Sequence, residues 1–255
     1  MSYAHGCTAV RLDRMTNEEE RETPPLPRAL EVLWRDRAGG GRARRLSRQR
    51  IVEAAIELAD RDGLGALSMA RLAERLGCGT MSLYRHVANK DELVTFMVSA
   101  APGHPPGTTD RADWRHALTD WAVGLWDVYH RHPWILHATV IGPPADPGQL
   151  AWLDAGLAAL SGTGLSERDK LAAVMALLHF VRGASALDIE AADHHDTAPD
   201  YPALLRRLVT GERFPALAAA LQAEAFDADG DRLADFRSGL DQFLDGIDSR
   251  VRRSR

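Results

Sequence analysis

A chain of 255 residues can fill one or two domains with a substantial core, and its net charge of −5 gives no global sign of an anionic partner. Aromatic residues make up only 6%, and long stretches of 3.6-residue periodicity with almost no alternating β-branched runs predict an all-α protein. Two cysteines, Cys7 and Cys78, argue against a disulfide framework or a CxxC metal site, and neither a secretory signal nor an apolar run of membrane-spanning length is expected, so the chain reads as cytoplasmic with no membrane partner.

Residues 1–41 form an N-terminal extension that is expected to be mostly disordered. It is polar, carries Glu18, Glu19 and Glu20, and runs into Thr23-Pro24-Pro25-Leu26-Pro27. Within it, residues 28–37 can form a short helix with Leu30, Leu33 and Trp34 on one side, either docked on the next domain or folded only in a complex. Gly39-Gly40-Gly41 is a joint, followed by the basic arm Arg42-Ala43-Arg44-Arg45. Arg44 and Arg45 suit phosphates or a minor groove; the same arm also reads as a solubilising tail.

Residues 42–100 read as a small helical domain. Its first helix, 47–62, has Ser47 as N-cap and a core stripe of Ile51, Val52, Ala55, Leu58 and Ala59. Two short helices, 68–76 and 80–87, then meet at Gly77, with Leu72, Ala73 and Leu76 facing in on the first. On the second, Leu83 and Val87 lie one turn apart and face inward, which leaves Thr80, Met81, Ser82, Tyr84, Arg85 and His86 facing out. A helix this polar suits phosphates and base edges, and its width fits a major groove. A further helix follows the Asn89/Glu92 cap spacing, with Lys90 at its start, where a cation opposes the helix dipole unless an anion sits there. Leu93, Phe96 and Met97 complete the small core. Residues 42–90 hold ten Arg or Lys against five Asp or Glu, so a basic head stands on an acidic body.

Residues 101–109 break the pattern and mark the joint to a larger helical domain, 110–252. Its first helix, about 112–129, carries Trp114, Leu118, Trp121, Leu125 and Val128 at 4, 3, 4 and 3 spacing. A short helix is expected after Pro133, another over 148–160, and a long one from a Ser166/Asp169 cap to about Ile189. That long helix is apolar on several faces, and its Gly183-Ala184-Ser185-Ala186 run invites a close backbone approach. Residues 190–200 read as an acidic mobile segment. The last helix, about 231–251, repeats Leu233, Phe236, Leu240, Phe243 and Ile247 at 3 and 4 spacing, which suits a bundle seam within one chain or between two.

The segment from about Leu46 to Met97 resembles the DNA-binding domain of the TetR family of bacterial transcription regulators. The matching residues are Ile51–Ala55, Leu58-Ala59, Gly63-Leu64, Leu67-Ser68, Leu72-Ala73, Leu76-Gly77, Leu83-Tyr84-Arg85-His86-Val87, Asn89-Lys90 and Leu93. More weakly, Trp121, His132-Pro133-Trp134, Gly142-Pro143, Leu157 to Leu160, Gly164-Leu165-Ser166 and Gly183 resemble the subgroup closest to the tetracycline repressor. The resemblance implies a homodimeric, ligand-released repressor of a palindromic operator in double-stranded DNA, with no cofactor. It assigns DNA contacts to Ser68, Met69, Thr80, Met81, Ser82, Tyr84, Arg85, His86 and Lys90. Tyr84 and Lys90 are expected on phosphates, Arg85 on a guanine or a phosphate, and Met81 on a thymine methyl.

For a small-molecule effector, the expected pocket residues are Leu118, Trp121, Leu125, Trp134, His137, Trp152, Leu153 and His179. No residue-by-residue match to a metal–tetracycline site exists, and the tryptophans suit an apolar aromatic ligand of the polyketide kind. The expected dimer interface pairs Val174, Leu178 and Val181 with Leu233, Phe236, Leu240, Phe243 and Ile247. An activator, a ligand-independent regulator and a non-specific DNA coat remain rival readings. So does a metal-dependent hydrolase built on His130, His132 and His137, or on His194 and His195 near His179 and Asp196, although none has HExxH spacing.

Overall fold

The computed structural model describes residues 25–35, 46–107, 113–138, 145–194, 200–226 and 232–254. Twelve α-helices and no strand occur among them. They are α1 (Arg28–Arg35), α2 (Arg48–Asp62), α3 (Met69–Leu76), α4 (Thr80–Tyr84), α5 (Lys90–Ala100), α6 (Trp114–Arg131), α7 (Trp134–His137), α8 (Pro147–Ala159), α9 (Glu167–His194), α10 (Tyr201–Leu208), α11 (Pro215–Gln222) and α12 (Arg232–Arg253).

Local rules build the N-terminal head. Ser47 accepts a hydrogen bond from the Arg50 amide (3.3 Å) and starts α2, whose Ile51, Ala55, Leu58 and Ala59 are buried. Ser68 caps α3 in the same way through the Arg71 amide (3.2 Å). Gly77 ends α3 in the left-handed region at φ 63°, and the Cys78 amide closes back on the Ala73 carbonyl (3.0 Å). Regular helix in α4 stops at Tyr84, three residues short of the expected end. The chain then tightens, with the His86 and Val87 amides both donating to the Leu83 carbonyl (2.8 and 3.0 Å). Leu83 and Val87 are nonetheless both fully buried, so the inward anchor is as expected on a shorter rod.

Asn89 caps α5 by accepting from the Glu92 amide (2.8 Å). The Glu92 carboxylate turns back to the Ala88 amide rather than to Asn89 itself, one residue beyond the usual capping box. Glu92 is buried, and its second oxygen lies 3.6 Å from Arg28 of α1. Nearby, burial pulls the Arg48 guanidinium below its usual range, and the Glu92 charge opposes that pull. Thus α1 docks on the head without DNA. It does so through Ala29, Val32 and Leu33, rotated from the expected Leu30, Leu33 and Trp34 side. Trp34 stays at the edge, 38% exposed, where its indole N–H reaches the Ala145 carbonyl (3.0 Å) just ahead of α8. Arg44, Arg45, the glycine joint and residues 1–24 lie outside the described residues.

The larger domain is organised around α6 and α9, with α8 and α12 packed against them. The α6 stripe of Leu118, Trp121, Leu125 and Val128 is buried. Asp146 caps α8 through the Gln149 amide (3.0 Å), and Pro147 occupies the first helical position. Contrary to expectation, Glu167–Asp193 of α9 is by length and composition long and apolar enough to cross a membrane. Here its Val174, Leu177 and Val181 belong to the protein core. The helix also runs five residues past the expected end at Ile189, so His194 stands in helix rather than loop; His195 lies outside the described residues. Among the described residues no heavy atom lies within 4 Å of a Cβ built on Gly183, whereas Ser185, two residues on, is fully buried. The short helices α10 and α11 were not anticipated. Only Leu205 is buried on α10 and nothing on α11.

The seam on α12 is also revised. Phe236, Leu240, Leu244, Ile247 and Val251 are all buried within this chain. Trp126 stacks on Phe236 (4.3 Å), and Phe180 stacks on both Phe236 (5.6 Å) and Phe243 (5.9 Å). Val174, Val181, Phe236 and Leu240 therefore have almost no surface left for a second chain. Leu178 faces a cavity instead, Leu233 packs part-buried on the core, and Phe243 and the edge of Ile247 border an open groove between α9 and α12.

One contact joins the two halves at backbone level. The Gly148 amide donates to the Ser99 hydroxyl (3.2 Å), and a Cβ on Gly148 would stand 1.9 Å from the Ser99 carbonyl oxygen. Gly148→Ala is expected to destabilise the protein by about 1–3 kcal/mol despite the better helix propensity of alanine. Urea unfolding of the variant measures this; unchanged stability would place α5 and α8 further apart than described.

Candidate functional site

The outer face of the head is a row of polar and apolar tips around α4. Thr80, Met81 (73% exposed), Tyr84 (45% exposed), Arg85 and Lys90 are exposed, and Ser82 and His86 are half-buried. Ser68 is exposed at the start of α3, whereas Met69 packs partly against the core. Charge pairing separates the cations of the head. Asp62 accepts from Arg61 (3.0 Å) and Arg71 (2.9 Å), and the hydrogen bond from Arg61 holds its carboxyl below the usual range. Arg75 is paired to Glu57. Among the described residues, neither Arg85 nor Lys90 has a carboxylate within ion-pair distance, so both are available to an outside anion.

A cavity of about 350 Å³ lies in the larger domain between α6, α8 and α9. Five of the expected pocket residues line it: Trp121, Leu125, Trp152, Leu153 and His179. Three do not. Leu118 is fully buried in the core, His137 is exposed on α7, and Trp134 turns toward the head. Sequence reasoning missed Tyr129, Gln149 and Arg182, polar residues on otherwise apolar helix faces. It also missed Val98 and Pro102, by which the end of α5 and the turn after it form part of the wall. Trp121 donates its indole N–H to the Trp152 carbonyl (2.8 Å), and Trp152 donates its own to the Gly103 carbonyl (3.2 Å). Burial raises the Tyr129 phenol above its usual range, with Arg182 opposing the shift, so the phenol is neutral at pH 7.

Head and cavity are joined a second time through Asp60 of α2. Its Oδ1 accepts from the Trp134 indole N–H (2.7 Å) and meets His132 Nδ1 (2.7 Å). Ile135, the residue after Trp134, lines the cavity. His130 is held elsewhere, between the Trp126 carbonyl (2.8 Å) and Asp188 (2.8 Å), which also pairs with Arg232 (3.2 Å). His130 and His132 thus face separate partners, His137 is exposed, and among the described residues no three His, Cys, Asp or Glu side chains converge as a metal site would need.

Residues 51–95 match the family model for bacterial regulatory proteins of the tetR family, and residues 106–251 match the tetracyclin repressor-like C-terminal domain. The chain is 32% identical over 254 residues to the HTH-type transcriptional repressor DrrR1 of Streptomyces coeruleorubidus, covering 95% of this chain and 93% of that protein. It is 28% identical over 213 residues to the class D tetracycline repressor protein of Escherichia coli, covering 82% and 88% of the two chains. Among solved structures, the TetR family protein ActR of Streptomyces coelicolor in complex with actinorhodin superposes with a TM-score of 0.68 at 23% identity, over 79% of this chain and 95% of that one. The chain belongs to the TetR family of transcription regulators and carries that family's helix-turn-helix DNA-binding domain. Members of this family are regulators rather than enzymes, and nothing supports the hydrolase reading.

Tyr84→Ala is expected to weaken binding to a duplex selected for this protein while leaving the melting temperature unchanged, because the ring is half exposed. Arg85→Ala is expected to relax base preference at one position per half-site, at about 1–3 kcal/mol. Fluorescence anisotropy and binding-site selection report the two effects; an unaltered selected motif would put Arg85 on a phosphate.

Proposed function

We propose that this protein is a cytoplasmic homodimeric repressor that grips a palindromic operator through α4 and releases it when a small molecule fills the cavity between α6, α8 and α9. The observation that carries this reading is the shared helix α5. Its Leu93, Phe96 and Met97 belong to the core of the head, while Val98 forms part of the cavity wall. Two heads about one DNA turn apart (~34–36 Å) enter successive major grooves. A ligand that prefers a cavity with α5 displaced moves α4 out of that spacing, and only this difference in affinity shifts the balance. The Asp60 link to Trp134 and His132 supplies a second route from the cavity wall to α2.

The dimer face we assign is the groove between α9 and α12, where Ala172, Ala173, Ala176 and Gly246 leave room beside Phe243 for another helix pair. Small residues there permit close helix approach. The same helix α9 also exposes Leu171 and Leu187.

The direct test is titration of a preformed protein–operator complex with candidate effectors, read by anisotropy; release of DNA is expected, and an effector that binds without altering DNA affinity would sink the proposal. Trp134 does not line the cavity, so Trp134→Phe is expected to leave effector affinity intact. The same variant should cut the ligand-driven fall in DNA affinity, typically about 5–150-fold in such systems, by a factor of about 3 or more. For assembly, Ala176→Glu with Gly246→Glu should give monomers by sedimentation velocity with unchanged helical content, since Ala176 and Gly246 are both exposed. A persisting dimer would move the interface elsewhere.

A further inference from the structure

We infer that the effector is an acid: a flat apolar body bearing one anionic group, a carboxylate or an acidic phenol, gripped by Arg182. The inference rests on the reading of the cavity as an effector site and narrows the chemistry that site accepts.

The apolar part of the argument comes from the tryptophans. The indole N–H groups of Trp121 and Trp152 are both taken up by backbone carbonyls. What the two rings offer a ligand is therefore ring surface, set edge to face with centroids 6.3 Å apart. Leu125, Leu153, Val174 and Leu178 extend the same wall. At about 350 Å³ the space suits a compact ring system.

The charge part comes from what else lines the cavity. Its polar side chains are Tyr129, Gln149, His179 and Arg182, and none is acidic. One Arg182 nitrogen donates to the Leu136 carbonyl (2.7 Å), and the guanidinium lies 5.9 Å from the Tyr129 ring centroid. Among the described residues, no carboxylate lies within ion-pair distance of Arg182. A guanidinium carries five N–H donors in a planar fork, and those not directed to the Leu136 carbonyl or the Tyr129 phenol can meet a carboxylate. Arg182 is half-buried, and a partly desolvated cation with no internal counter-charge gains when an anion arrives. A cationic ligand meets the reverse: no acidic partner and a like charge already in place. The neutral Tyr129 phenol beside Arg182 adds a donor to the same anion.

Three matched probes test this: anthraquinone-2-carboxylate, anthraquinone-2-carboxamide and 2-(aminomethyl)anthraquinone, titrated into the full-length protein by calorimetry. The acid is expected to bind about tenfold tighter than the amide or more, and the amine weakest. Arg182→Gln should bring acid and amide to within about twofold of each other, while Arg182→Lys, which keeps the charge, should retain part of the preference. A melting scan of each variant shows that it is folded. Leu178→Trp, which fills the cavity, should abolish binding of all three. An acid that binds no better than the amide, or a preference that survives in Arg182→Gln, overturns the anionic assignment and leaves the cavity reading standing. Undiminished binding to Leu178→Trp overturns the cavity reading itself, and failure of all three probes to bind overturns both.

Discussion

The structure depends on a single helix being part of two cores. Leu93, Phe96 and Met97 on α5 are buried with α2, while Val98, at 3% exposure, reaches the cavity, and Ser99 meets Gly148 of α8 with no room for a side chain. An 11-residue helix is about 16 Å long and moves as a unit. The hydrophobic cluster runs without a break from Ile51 through Phe96 to Trp121 and Val251. Because close-packed interiors resist graded deformation, displacement at the cavity end of α5 reaches the head as a rigid-body change.

The reading surface is cheap to hold in place because so little of it is buried. Leu83 and Val87 anchor α4, and the Gly77 turn fixes its approach to α3. Every other side chain from Thr80 to His86 is at least partly exposed. Charge pairing then sorts the arginines. Arg61, Arg71 and Arg75 are engaged by Asp62 and Glu57 and stiffen the scaffold, whereas among the described residues no carboxylate pairs with Arg85 or Lys90, which leaves them to phosphate or base. The buried Glu92 stabilises the turn before Lys90 through the Ala88 amide and ties it to Arg28 of α1. The position of Lys90 at the start of α5 is thus held from both sides, by a cap and by an added helix.

The head was legible in the sequence because its signals are local. Ser47, Ser68, Gly77 and Asn89 each act within four residues of themselves, and each does in the structure what its chemistry dictates. The larger domain was legible only as helices. The α12 repeat says that one face is buried but not against what, and the partner proved to be α9 and α6 of the same chain. The cavity was half legible for a related reason. Trp121, Trp152 and Leu153 share the correct faces, but whether an apolar side chain lines a void or fills one depends on its neighbours in space; Leu118 fills one. Arg182 gave no signal, since an arginine within an apolar helix reads as a surface residue until the helices around it are in place. The helices α10 and α11 escaped because they bury almost nothing.

Trp134 shows how the two halves communicate without a shared helix. As a large apolar residue next to His132 and Pro133 it reads as a cavity wall, yet its ring is 4% exposed and its indole N–H points away from the cavity to Asp60. Asp60 receives a second contact from His132, so one carboxylate on α2 ties down both ends of the short segment that also presents Ile135 to the cavity. Hydrogen bonds to a carboxylate are short-ranged and directional, and a shift of α7 by about 1 Å weakens them steeply. The α5 contact transmits motion by packing and the Asp60 contact by polar geometry. A ligand that disturbs both acts on α2 and α5 together, and α2 packs directly against α3 of the reading unit.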